Sequence, residues 1–123
     1  MREALTANGA SKSLNVVEDG EQALCFLYRN GAFTKAPRPD LIFLDLNLPR
    51  KDGREVLAEI KASDDLRRIP VIVLTTSESD VDVKRAYELH ANCYVKKPAD
   101  LDEYVSVIKA CESFWLHVVR LPK

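Results

Sequence analysis

Three side chains able to do chemistry close successive aliphatic runs: Asp45 ends "LIFLD", Thr75 ends "VIVLT", and Lys97 lies just beyond "CYV". A single aspartate after a strand is ordinary turn or capping chemistry. An acid, a hydroxyl and an ammonium on one rim are harder to explain structurally, because ligands of open α/β sheets bind outside the carboxyl ends of the strands. The set suits phosphoryl transfer to a carboxylate. Asp45 would be the nucleophile that forms an acyl phosphate, Lys97 a point charge on the phosphoryl oxygens, and Thr75 a hydrogen-bond donor. A divalent ion, Mg²⁺ being the expected one, would bridge Asp45 and the phosphoryl group while keeping several waters.

The elements that must position these residues follow from hydrophobic periodicity. Short aliphatic runs at 14–17, 41–44, 71–74 and 93–95 alternate with helical segments, the pattern of βα units. The middle two runs are continuously apolar, which predicts parallel strands covered on both faces. The expected class is therefore a three-layer α/β sandwich. Helical stripes recur at Ala23, Leu24 and Leu27, and at Val56, Leu57 and Ile60. "TANG" and "YRNG" each finish with Asn-Gly, a usual helix stop, so residues 2–7 are expected to be the end of a helix. Over about 102–119 a last helix carries Tyr104, Val105, Ile108, Cys111, Trp115 and Val118 as one stripe, with Val107, Phe114 and Leu116 off it. The second group reads either as loose C-terminal surface or as an association face.

Composition narrows the class. The chain has 123 residues, 46% hydrophobic and 30% charged, with a formal net charge of -1, which fits one soluble domain. No apolar run approaches the roughly 20 residues of a bilayer span, and no secretory leader is visible, so a cytoplasmic location without membrane attachment is expected. Balanced charge without a basic block argues against direct nucleic-acid binding. Cys25, Cys93 and Cys111 lack CxxC spacing and sit among apolar residues, which predicts buried reduced thiols.

"PDLIFLDLNLPRKDG", "IPVIVLTTS" and "CYVKKPADL" resemble the signature segments of the two-component response-regulator receiver domain, in order and over essentially the whole chain. The resemblance implies a flavodoxin-like parallel sheet. It implies a phosphoryl group passed to Asp45 from a sensor histidine kinase, and a metal contact from the backbone carbonyl of Asn47. Thr75 and Lys97 match the family's switch hydroxyl and lysine, and Tyr94 matches the aromatic that rotates on activation. Lys96 is the rival to Lys97, and the proline directly after Lys97 decides between them. Pro98 matches a proline usually preceded by a cis peptide. Gly53 is expected to supply a positive-φ turn. "LPRKDGREVLAEIK", "YELHANCYVKKP" and "ESFWLHVVRLP" are further similar to single-domain regulators associated with phytochrome-type kinases. That subgroup implies no output domain and a homodimer formed through the C-terminal half. His90 and His117 read as packing or surface residues.

One part of the receiver pattern is missing. Receiver sheets run 2-1-3-4-5, with an acidic pair ending the first strand, and only four strands are predicted here. Between Asp19 and Asp45 lie 25 residues, enough for one helix and one strand. "VVEDG" therefore reads as the end of the edge strand and the cap of the next helix, with Asp19 as N-terminal residue. The expectation is one receiver domain over 1–123, truncated at its N-terminus and lacking the first strand. That central strand would bury side chains worth roughly 6–15 kcal/mol. Its place must be filled, by upstream sequence, by a neighbouring strand or by another subunit. Direct pairing of 14–17 with 41–44, which would bring Glu18 and Asp19 beside Asp45, is the speculative closure. Functionally, the alternative to a phosphorylated switch is a degenerate receiver that serves only for dimerisation or docking. A phosphate-releasing hydrolase is disfavoured because Asn47, not an acid, stands two residues after Asp45, so the chain is expected not to be an enzyme.

Overall fold

In the computed structural model the backbone is described for residues 4–8, 13–76 and 79–122, and side chains for 15–76 and 79–122. The two continuous apolar runs form β3 (Leu41–Asp45) and β4 (Val71–Thr75), buried at every position. They pair in parallel, Ile42 opposite Val71 through Asp45 opposite Leu74. On the far side of β4, β5 (Cys93–Lys96) adds a third parallel strand.

The other flank departs from expectation. Residues expected to end a helix instead form β1 (Ala4–Asn8), which lies between β3 and β2 (Ser13–Val17) and runs antiparallel to both. Among the described residues the sheet has five strands in the order β2-β1-β3-β4-β5, so the central slot is filled within the chain by a strand of reversed direction. Only four residues separate Asn8 from Ser13, enough for a hairpin, whereas a parallel crossover needs a dozen or more. The facing edges of β2 and β3 would otherwise carry unpaired backbone groups, and β1 satisfies both. Direct pairing of β2 with β3 is thereby excluded, and β2 sits two strand spacings, roughly 10 Å, from β3.

Among the described residues four α-helices complete the layers. α1 (Gly20–Tyr28) opens on Asp19, whose side chain accepts the Gln22 N–H at 2.8 Å. It closes on Arg29 in the left-handed region (φ 57), one residue before the predicted Asn-Gly stop, and Gly31 (φ 57) then enters a short 3₁₀ turn. α2 (Gly53–Ala62) is capped by Asp52 and α3 (Asp80–Glu88) follows Ser79. α1, α2 and α3 pack on one face around Leu24, Val56, Leu57, Ile60, Ile42, Leu44 and Val73. α4 (Leu101–Ser113) packs on the other, where Tyr104 and Ile108 meet Leu41, Phe43, Ile72 and Leu74. The sandwich is three-layered but asymmetric.

α4 runs into a wide π-helical turn at Phe114–Val118. Widening the turn shifts the helical phase, so Leu116 packs on the second core cluster, joined by Val107, although both were expected off the buried stripe. Val118, expected on the stripe, is exposed, as are Val105 and Phe114. At the opposite end of the sheet Lys61 staples the connection into β4. Its Nζ lies 3.1 Å from the carbonyls of Arg67 and Ile69 and from Asn92 Oδ1. Asn92 Oδ1 in turn accepts the Val71 N–H at 2.8 Å. The three cysteines are free and half-buried, and burial pushes the Cys93 and Cys111 thiols up. His90 and His117 are both exposed. Among the described residues no helix is long and apolar enough to cross a membrane.

Candidate functional site

The carboxyl ends of β3, β4 and β5 bring Asp45, Thr75 and Lys97 to one rim. Parallel pairing sets the ends level, with Thr75 opposite Lys96, and the Lys97 N–H then donates to the Thr75 carbonyl at 2.7 Å. That bond carries the pairing one residue past β5 and turns the Lys97 side chain inward while Lys96 is exposed. The rivalry between the two lysines is resolved at the rim: Lys97 Nζ donates to Asp45 Oδ2 at 3.1 Å, with both side chains only 7% exposed. Beneath the ammonium, 5.4 Å away, lies the Tyr104 ring of α4, a cation–π contact that helps hold a charge in a dry place.

The second Asp45 oxygen is also engaged. Asp45 Oδ1 accepts the Asn47 N–H at 2.9 Å, a local turn that orients the carboxylate. The chain then reaches α2 through a tight approach, with the Gly53 N–H donating to the Leu46 carbonyl at 3.0 Å. Gly53 does not have positive φ, contrary to expectation. Its requirement is spatial: a Cβ there would collide with the Asp45 carbonyl oxygen, and at 2.6 Å with Leu46 Cα. Gly20 is constrained in the same way, since its backbone lies against the Lys51 carbonyl. Thr75 is wholly buried, at 0% exposure. Tyr94, opposite Val73, is half-buried against the first core cluster. The Lys97–Pro98 peptide is trans, not cis; trans is the intrinsically favoured isomer of such bonds by about 0.5–1 kcal/mol.

Glu18 and Asp19 follow β2, whose carboxyl end is level with that of β3 but two strands away. Asp19 is buried, but its carboxylate is spent on the Gln22 N–H and on Arg50 Nε, 3.5 Å away, and Glu18 is exposed. Among the described residues no group of three acids, histidines or cysteines is placed to hold a metal ion. Sequence reasoning passed over one feature of the rim: Arg54, on the first turn of α2, contacts Asp52 and the distant Asp82. No local pattern marks a contact between residues 28 apart.

A sheet in this strand order, parallel from β3 to β5, with a lysine-paired aspartate at the end of its central strand, is receiver architecture apart from the reversed β1. The profile of the response regulator receiver domain matches residues 1–109, and the chain belongs to that family. Among individual relatives, it is 50% identical to Response regulator Rcp1 of Synechocystis sp. over 122 residues, covering 99% of this chain and 83% of that protein. Of solved structures, the phosphorylated cyanobacterial phytochrome response regulator RcpA matches with a TM-score of 0.82 at 51% identity, over 87% of this chain and 76% of that one. The Mn²⁺-bound form of Rcp1 matches with a TM-score of 0.80 at 54% identity, over 87% and 77%. The likeness thus runs to phytochrome response regulators.

Proposed function

We propose that this chain is a single receiver domain over 1–123 that accepts a phosphoryl group on Asp45 from a sensor histidine kinase of phytochrome type, and that the modification changes its protein contacts. The observation that carries this reading is the buried Lys97–Asp45 contact of 3.1 Å beside Thr75. In the transfer, the P–N bond of the donor phosphohistidine breaks as a P–O bond to Asp45 forms. Lys97 is already within reach of the charge that moves from the carboxylate to the phosphoryl oxygens, so its stabilisation needs little rearrangement. The Thr75 hydroxyl is the donor that senses the new group, and Tyr94 on the neighbouring strand passes the change to the outer face.

The Asp45 carboxylate and the Asn47 carbonyl are hard oxygen donors, and they fit a divalent cation that keeps several waters. When bound, Mg²⁺ or Mn²⁺ would supply charge neutralisation at the phosphoryl group. Two donors are a short set, so weak affinity is expected. The shortage also favours the second reading, a receiver that docks or dimerises without phosphorylation. Exposed Val105, Phe114 and Val118 on the last helix support a homodimer through the C-terminal half in either case.

Incubation with a small acyl phosphate and Mg²⁺, followed by intact mass measurement, tests the reading. With the acidic pair missing, slow and partial addition of a phosphoryl group, lost in Asp45→Asn, is expected. No modification, or modification that survives in Asp45→Asn, would overturn it. A partner affinity that is the same before and after modification would select the docking module.

A further inference from the structure

Arg54 reaches in two directions from the first turn of α2. Its Nη1 lies 3.3 Å from both carboxylate oxygens of Asp52, whose Oδ1 also accepts the Arg54 backbone N–H at 2.8 Å. Its Nη2 donates to Asp82 Oδ1 at 3.0 Å, in the first turn of α3. The Arg54 and Asp82 side chains are 33% and 27% exposed, so this is a partly enclosed contact and not a loose surface pair. With two carboxylates holding one planar fork, much of the entropy that weakens isolated surface pairs is already spent.

The position of the contact gives it meaning. α2 begins against the Asp45 carbonyl, through Gly53, and α3 begins five positions after Thr75. Arg54 therefore ties together the two segments that leave the acceptor and the switch hydroxyl. Thr75 is wholly enclosed, so bringing its hydroxyl to a new phosphoryl group would move the backbone around it, and the start of α3 lies only five positions on.

We infer that Arg54 is a positioning residue: through Asp82 it holds the start of α3, and with it the Thr75 end of β4, in the unphosphorylated arrangement. This rests on the roles given above to Asp45 and Thr75. A small donor reacts with whatever fraction of molecules has already shifted, so the tie lowers the rate in proportion to the population it suppresses.

Arg54→Ala, Asp82→Ala, the double variant and Arg54→Lys test it with two readouts. The first is the initial rate of modification by an acyl phosphate with Mg²⁺. Each alanine variant is expected to react about 3- to 10-fold faster, the double no faster than the singles, and Arg54→Lys in between, because lysine keeps the charge but not the fork. The second is hydrogen exchange in the unmodified protein at the Val83 amide, which donates to the Ser79 carbonyl at 3.0 Å. It should quicken by a similar factor in both single variants. Rates within twofold of the parent, or additive effects in the double variant, would overturn the inference. If no variant and not the parent is modified, the reading of Asp45 fails instead. Exchange then decides the tie alone, with unchanged exchange at Val83 refuting it and faster exchange in both variants supporting it.

Discussion

Asp45 carries its charge in a nearly closed place because two donors face it, the Lys97 ammonium and the Asn47 N–H. Removing one member of a buried pair costs more than the pair contributes, since the survivor keeps its desolvation cost without its partner. Lys97→Met is therefore expected to destabilise the fold by about 3 kcal/mol, read as a fall in the urea midpoint at constant slope. Adding Asp45→Asn removes the stranded charge, and the double variant should return to within about 1 kcal/mol of the parent. A single variant as stable as the parent would show that water or another cation replaces the lysine. The same residues show what a sequence reveals at this scale. Asp45, Thr75 and Lys97 were legible because each closes an aliphatic run, and strand ends share a rim. Gly53 was legible as special but for another reason: its need is room beside the Asp45 carbonyl, a distance between backbones that no turn rule encodes.

Elements join through few, specific contacts, and the Lys61 staple is the clearest outside the rim. One ammonium ties the end of α2 to the 3₁₀ turn at Leu66–Arg68, to the entry of β4 and to Asn92 ahead of β5. Lys61→Met leaves those carbonyls and the Asn92 oxygen with one partner fewer, at an expected cost of about 2 kcal/mol. Desolvation by burial lowers the Lys61 pKa below its ordinary 10.5. Between the lowered value and 10.5 the unfolded chain binds more protons than the native one, so this group's contribution to stability rises with pH through that window. The difference between parent and Lys61→Met in urea should accordingly widen as pH rises toward the ordinary 10.5. A gap that narrows would reverse the assigned shift. Such contacts lie beyond periodicity, which sees only one element at a time. β3 and β4 were readable because burial on both faces writes a continuous apolar run. The phase of the last helix was not, because the wide turn at Phe114–Val118 re-aims Leu116 and Val118 without any break in the apolar pattern.

At the scale of the whole molecule, β1 is the piece whose state is set by its surroundings. "ALTAN" has neither the alternation of a half-buried strand nor a helical stripe, so its strand conformation comes from the two edges it joins. It pairs with β2 along five positions and with β3 along four, and it joins the edge strand ahead of α1 to the strand that carries Asp45. Deleting residues 1–12 would open both edges at once. The lost pairing on both sides of β1 is expected to cost about 5 kcal/mol or more, the lower end of a typical domain's entire stability. The freed β3 edge would then be a template for pairing with another chain. The deleted protein should lose its cooperative thermal transition and sediment as oligomers, while the parent unfolds in one step. A monomer that still melts cooperatively near the parent's midpoint would mean that β2 and β3 had found another way to satisfy their edges, and that the reversed strand is an ornament of the sheet and not its keystone.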